Sequence, residues 1–208
     1  MDAFAAVVAR TPSPGRPVLV AVDGVDGSGK TTFAAGLAQA YAGVGRPPLV
    51  VHEDDFLNPR AVRYRLGRDS PEGYFRDTYD LKALTEQVLD AGTRIVPAVF
   101  DHRTDTPVDA EPIEVPVDGV VIVEGMFLHR EELVRRWDLS VFLDVPFIET
   151  ARRMAERDGS NPDPAHPSMR RYVEGQRIYL ATCRPHDRAT LVIDNTRRPG
   201  QGTPHVHR

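Results

Sequence analysis

The sequence has little of three features that mark special classes of protein. Its 208 residues include one cysteine, Cys183, which can form no internal disulfide and supplies no cysteine cluster for a metal. Lys and Arg number 26 against 30 Asp and Glu, so no excess of positive charge favours binding to nucleic acid or to an anionic membrane. No apolar run is long enough to span a bilayer. We therefore expect a cytoplasmic protein without a nucleic-acid or membrane partner.

Hydrophobic residues make up 41% and charged residues 27% of the sequence, as is usual for a globular domain. We expect one compact domain over residues 18–196. Residues 1–17 are predicted to form a short helix and a connector, and their apolar run is too short for a secretory signal. Residues 197–208 are predicted to be a solvated tail, in which His205 and His207 are too few for a metal site.

Short apolar runs predict the strands of a buried sheet, at residues 18–22, 49–52, 120–123, 139–143 and 191–193. Helical patterns occur at 31–41, 81–89, 129–137, 148–157 and 169–182, and Asp80 is a candidate N-cap for the second of them. This alternation predicts a parallel sheet with helices on both faces. The stretches 58–73, 103–116 and 158–167 are predicted to be long irregular loops, which often serve as lids.

The segment GVDGSGKT at residues 24–31 lies between the first predicted strand and helix and has the pattern G-x-x-x-x-G-K-T. Its glycines let the backbone curl so that amides face a phosphate at the positive end of the helix. Lys30 is predicted to contact the β- and γ-phosphates, and the Thr31 hydroxyl to bind Mg²⁺. The predicted nucleotide contacts are Gly24, Asp26, Gly27, Ser28, Gly29, Lys30, Thr31 and Thr32.

Acidic side chains follow the second and third predicted strands, at the edge where open parallel sheets bind ligands. Asp54, with Asp55 as the alternative, could accept the proton of a substrate hydroxyl. A solvated acidic turn is the structural alternative. Glu124 follows four apolar residues, and Mg²⁺ or its water shell would satisfy its carboxylate. A purely structural hydrogen-bond acceptor is the alternative for Glu124.

Arg153 and Arg157 lie four residues apart on one face of a predicted helix, with Arg152 beside them. Placed over a γ-phosphate, these arginines would neutralise the charge that develops during transfer. Ion pairs with Glu149 and Glu156 would produce the same spacing on an ordinary surface helix.

Taken together, these segments resemble the uridine kinase and phosphoribulokinase-like group of phosphate-loop kinases. The resemblance covers most of residues 18–195 and rests on GVDGSGKTT, DDF, FDHR, VVIVEG, FLDV and RRMAERD, which follow the family's order. It implies a three-layer α/β fold of the P-loop NTPase type, with a five-stranded parallel sheet and an arginine-bearing lid around residues 148–170. It also implies ATP and Mg²⁺ as cofactors, and phosphorylation of a primary hydroxyl, typically the 5′-OH of a nucleoside.

The resemblance assigns roles to individual residues of this chain. It implies that Asp54 is the base, that Thr31 and Glu124 bind magnesium, and that Arg153 and Arg157 belong to the lid. Lys30, Asp54 and the two arginines are therefore the predicted catalytic residues.

Other matches concern the acceptor and the adenine. Tyr79 and Asp80 resemble the pair that holds ribose hydroxyls in nicotinamide riboside kinases, with Asp77 as an alternative to Asp80 and a pure N-cap role for Asp80 also open. Asp194 and Asn195, at the end of the last predicted strand, resemble the segment that borders adenine in these kinases, so Asn195 is a further predicted nucleotide contact.

The segment Phe100, Asp101, His102, Arg103 lacks the stretch that usually separates the aromatic-Asp pair from the His and Arg in uridine kinases. Phe100, His102 and Arg103 are nevertheless predicted to contact the acceptor, with an ordinary loop histidine as the alternative for His102. Leu57 stands where the family often has an aromatic residue.

The sequence thus predicts an ATP- and Mg²⁺-dependent kinase for a small hydroxyl-bearing metabolite, with a nucleoside such as uridine or cytidine as the first choice. Nicotinamide riboside, pantothenate and sugars are alternative acceptors. A GTPase-type switch is the rival class, and the lack of a guanine-reading N-K-x-D-like segment disfavours it. A homo-oligomer is left open.

Overall fold

The computed structural model describes residues 3–196 and the backbone of residues 205–206. Its α-helices are α1 (Ala3–Arg10), α2 (Lys30–Gly43), α3 (Arg60–Arg63), α4 (Pro71–Asp77), α5 (Leu81–Leu84), α6 (Phe147–Asp158), α7 (Arg170–Cys183) and α8 (Pro185–Arg188). Its strands are β1 (Val18–Gly24), β2 (Pro48–His52), β3 (Arg94–Ile95), β4 (Phe100–Asp101), β5 (Thr106–Pro107), β6 (Ile113–Glu114), β7 (Val120–Gly125), β8 (Leu139–Asp144), β9 (Leu191–Asp194) and β10 (His205–Val206). Short 3₁₀ turns cover Glu53–Phe56 and Pro167–Met169, and a π-helical turn covers Thr85–Leu89.

The main sheet has the strand order β10-β9-β8-β1-β7-β2. Within this sheet, β1, β2, β7, β8 and β9 are parallel, which confirms the predicted five-stranded parallel sheet. Strand β10 adds an antiparallel edge at residues 205–206, within the segment predicted as a solvated tail. Residues 1–2, 197–204 and 207–208, and the His205 side chain, lie outside the described residues.

Alternate side chains of the central strand β1 enter two different cores, because successive residues of a strand point to opposite faces. Val18, Val20 and Val22 pack in the core under α1 and α2. Leu19 and Ala21 pack in the core on the other face, with residues of α5 and of the π-helical turn. Helices on both faces of the sheet therefore form the predicted three-layer α/β arrangement.

The predicted helix at residues 129–137 is wrong, since this segment forms successive turns. Most of its backbone bonds join an amide to the carbonyl three residues earlier, as from Leu133 to Arg130 and from Arg136 to Leu133. The Trp137 indole donates to the Leu128 carbonyl at 2.8 Å and ends the segment on the sheet. Phe127, two residues before this segment, has a left-handed φ of 68°, which is uncommon for a residue other than glycine.

The long irregular loops contain more structure than the sequence predicts. Residues 58–73 include α3 and the start of α4, and residues 103–116 include β5 and β6. In each case the elements are too short for a periodic apolar pattern to show them. No helix within residues 3–196 is both long enough and apolar enough to cross a membrane.

Candidate active site

The glycine loop between β1 and α2 has the curled backbone that the sequence predicts. Gly27 and Gly29 have φ values of 75° and 93°, in the left-handed region that favours glycine. Gly29 caps α2, whose first residue is Lys30. A side chain at Gly24 would place its Cβ only 2.5 Å from the Ser28 Oγ. The loop can therefore close tightly only with glycine at these positions.

Side chains from distant parts of the chain hold this loop. The Asn195 amide donates to the Ser28 carbonyl at 2.8 Å, and the Gln176 Oε1 accepts from the Asp26 amide at 2.6 Å. Lys30 donates to the Val25 carbonyl at 3.1 Å within the loop itself. These hydrogen bonds hold the loop backbone in place, and an ordered loop needs less free energy to bind a phosphate.

Thr31 and Glu124 meet at the predicted magnesium position. The Thr31 hydroxyl donates to the Glu124 Oε1 at 2.9 Å, and the His52 Nδ1 lies 2.7 Å from the same oxygen. Burial alone would raise the pKa of Glu124, but the hydrogen bond with His52, the Lys30 charge and the Thr31 hydroxyl together lower it. A hydroxyl and an ionised carboxylate beside the loop are the hard oxygen donors that Mg²⁺ prefers, so these residues fit that ion.

His52 was missed by the sequence analysis, although strand pairing accounts for its position. β2 pairs in parallel with β7, and the register sets His52 beside Glu124. The hydrogen bond with Glu124 raises the pKa of His52. Neighbouring strands that end with polar residues were the available signal.

Asp54 lies in the 3₁₀ turn after β2, with its side chain exposed. The buried Tyr79 hydroxyl donates to its Oδ1 at 3.0 Å. Burial, followed by the charges of Asp54 and Glu53, holds the pKa of Tyr79 well above its usual range, so the phenol keeps the proton that it donates. The neighbouring Asp55 is partly buried, and that burial raises its pKa.

The predicted acceptor residues occupy different environments. Asp80 caps α5, its Oδ1 accepting from the Ala83 amide at 2.9 Å. Asp77 is buried and forms two hydrogen bonds with Arg65, at 2.9 and 2.6 Å. Phe100 packs in the core on the side of Tyr79. This placement accounts for Asp77 and Asp80 as structural residues, and a contact of either with the acceptor stays a prediction.

His102 and Arg103 lie in the exposed turn between β4 and β5. The Arg103 amide donates to the Asp101 Oδ1 at 2.9 Å and closes the turn. Asp105 joins this turn to α3, accepting from the Arg60 amide at 3.1 Å and from the Arg63 guanidinium at 3.2 Å. Asp105, which the sequence analysis did not select, therefore links the turn between β4 and β5 to the loop of residues 58–73, and both segments lie on the proposed acceptor side.

The two arginines of α6 that are predicted to belong to the lid have different partners. Arg153 donates to the carbonyls of Asn195 and Thr196 at 2.9 and 2.7 Å and to the Glu149 carboxylate at 2.7 Å. Arg157 is 60% exposed, pairs with Asp158 and lies 3.9 Å from Asp26 of the glycine loop. Both guanidinium groups therefore lie at the edge of the glycine loop.

A buried polar network that the sequence analysis missed lies at the end of β1, one residue before the loop. Asp23 accepts hydrogen bonds from the Tyr179 hydroxyl and from its own neighbour, the Gly24 amide. The His129 Nδ1 lies 2.6 Å from the same carboxylate. Burial and the Asp23 charge hold the pKa of Tyr179 well above its usual range. An acid at the end of an apolar strand was the only sequence signal.

No protein-family model matches the chain. A uridine kinase of Lactiplantibacillus plantarum is 31% identical over 176 residues, which are 82% of this chain and 78% of that protein. A solved structure of a possible uridine kinase from Bacillus stearothermophilus is 28% identical, with a TM-score of 0.71 over 91% of this chain and 94% of that one. A candidate fructose transport system kinase from Silicibacter sp. TM1040 is 27% identical, with a TM-score of 0.67 over 86% and 92% of the two chains. The chain therefore belongs to the uridine kinase family of phosphate-loop kinases.

Proposed function

We propose that this protein transfers the γ-phosphoryl group of ATP to a hydroxyl of a nucleoside, with uridine and cytidine as the first candidates. The observation that carries the proposal is one edge of the sheet, where the glycine loop, the pair Thr31 and Glu124, and the exposed Asp54 follow adjacent strands. Membership of the uridine kinase family supports phosphoryl transfer to an alcohol.

Each residue has a part in the transfer. The loop amides and Lys30 hold the phosphates, and Thr31 and Glu124 would hold Mg²⁺, which neutralises phosphate charge when bound. The acceptor oxygen bonds to the γ-phosphorus while the bond from that phosphorus to the bridging oxygen breaks and ADP leaves. Asp54 takes the hydroxyl proton, and Tyr79 orients its carboxylate. Arg153 and Arg157 of the lid limit access of water, and Asn195 borders the adenine.

The test is ADP release with ATP and a set of acceptors: uridine, cytidine, nicotinamide riboside, pantothenate and fructose. Fructose has a specific reason to be included, because the candidate fructose transport system kinase is 27% identical to this chain and the possible uridine kinase structure is 28% identical. We expect uridine or cytidine to give the highest kcat/KM. Turnover of only a non-nucleoside acceptor would replace the nucleoside proposal, and GTP binding without any acceptor phosphorylation would favour a switch.

The variant Asp54→Asn tests whether Asp54 is the general base, and Asp55→Asn is the matched control at the neighbouring acid. We expect Asp54→Asn to lower kcat by about 10²- to 10⁴-fold, the usual contribution of a general base. ATP binding, measured by thermal shift, should be unchanged in both variants. A larger loss in Asp55→Asn than in Asp54→Asn would reverse the assignment.

A further inference from the structure

One side of helix α7 contacts two parts of the candidate active site, the glycine loop and the acceptor-side loop of residues 58–73. Its first residues follow the lid, and residues 171, 175, 176 and 179 lie on the same side at helical spacing. Arg171 donates to four backbone carbonyls of the acceptor-side loop, those of Arg63, Gly67, Arg68 and Ser70. Gly175 lies so close to α4 that a Cβ there would be 2.8 Å from the Pro71 carbonyl. Tyr179 donates to Asp23, next to the glycine loop.

Gln176 is the residue of α7 that contacts the glycine loop itself. Its side chain is buried, with the residue 2% exposed. The Oε1 accepts from the Asp26 amide at 2.6 Å, while the Nε2 donates to the Tyr172 carbonyl one turn earlier on the same helix at 3.0 Å. The bond to the Tyr172 carbonyl fixes the Gln176 side chain, so the bond from the Asp26 amide holds the glycine loop at a set distance from α7.

We propose that Gln176 is a positioning residue for phosphate binding, an inference that rests on the proposed ATP site at residues 24–32. Because the Asp26 amide donates to Gln176, the start of the loop is fixed to α7 just before the glycines of the proposed phosphate cradle. The same helix packs closely against α4, so it links the cradle to the acceptor side of the site. Gln176 acts on the phosphates through the loop and not by touching them.

Gln176→Met tests the proposal, since methionine has nearly the same length and no strong acceptor for the Asp26 amide. The dissociation constant for ATP, measured by calorimetry without an acceptor, should rise about 3- to 10-fold, the loss expected for one hydrogen bond. Amide exchange at Asp26 in the absence of nucleotide should become faster. The KM for the acceptor should change less than about twofold in the variant.

Gln39→Met is the matched control, because Gln39 is an exposed residue of α2. An ATP affinity of Gln176→Met that equals that of Gln39→Met, with the Asp26 amide still protected, would overturn the proposal. Parallel losses of ATP affinity, acceptor affinity and melting temperature would also overturn it, because they indicate a general packing role. Because ATP binding and amide exchange need no acceptor, this test stands even when every acceptor in the set fails.

Discussion

Gly27 is the position at which the loop geometry makes its most quantitative prediction. Its φ is 75°, and a Cβ there would lie 2.7 Å from the Thr150 carbonyl of α6 and 3.1 Å from the Met154 Cγ. The left-handed backbone costs a residue with a Cβ about 1–2 kcal/mol. The contact with Thr150 involves a backbone atom, which no rotamer change can move, so overpacking adds about 1–3 kcal/mol. We expect Gly27→Ala to lower the free energy of unfolding by about 2–5 kcal/mol.

Gly15→Ala isolates the steric part of this loss. Gly15 has a φ of 76°, and a Cβ at this position would have no described atom within 4 Å apart from those of its chain neighbours. The two variants share the backbone strain and the change in unfolded-chain entropy, so they differ only in the contact with α6. Urea unfolding without nucleotide gives both free energies. Equal losses in the two variants would refute the argument that α6 leaves no room beside the loop.

Three further predictions concern pH and the acceptor side. Arg152 and Arg153 lower the pKa of Glu149 to about 2. The ionised carboxylate therefore stabilises the fold above about pH 4.5, and this contribution disappears as the pH falls toward 2. In urea titrations, Glu149→Gln should lose less stability than the wild type between pH 5 and about 3. Burial holds the pKa of Glu53 well above its usual range, so the wild type should lose stability as the pH rises above about 4.5 while Glu53→Gln does not, and parallel stability curves would contradict this. Asp105→Asn weakens the link between α3 and the 100–107 turn, so the acceptor KM should rise about 3- to 10-fold with the ATP KM unchanged in steady-state assays.

The sequence predicts the sheet and the glycine loop well because both depend on short-range features. Five apolar runs with polar ends define the parallel strands, and the spacing of Gly24, Gly29, Lys30 and Thr31 defines the loop. The predicted helix at 129–137 fails because its amphipathic pattern also suits a series of turns packed on the sheet. There the Trp137 indole bonds to a carbonyl of the segment instead of ending a helix.

The local sequence pattern does not predict contacts between residues that are far apart in the chain. Asp26 and Gln176 are 150 residues apart, and Asp23 and Tyr179 are 156 apart. Nothing in the local composition of α7 selects Gln176, since a glutamine in a helix is usually a surface residue. These pairs form only after the crossovers of the parallel sheet bring α7 under the loop, so they depend on topology and not on local propensity.

The segment EDDF (Glu53–Phe56) also shows that the local sequence does not predict which individual side chains are buried. Three acids in succession suggest a solvated turn, yet Glu53 is fully buried and neither of its carboxylate oxygens has a hydrogen-bond partner among the described residues, while Asp54 is exposed. The cause lies in the neighbouring strand: Gly125 ends β7 without a side chain, and a Cβ there would clash with the Glu53 carboxylate. The glycine of VVIVEG therefore makes room for Glu53, and the chain then turns Asp54 outward to the edge where the acceptor is proposed to bind.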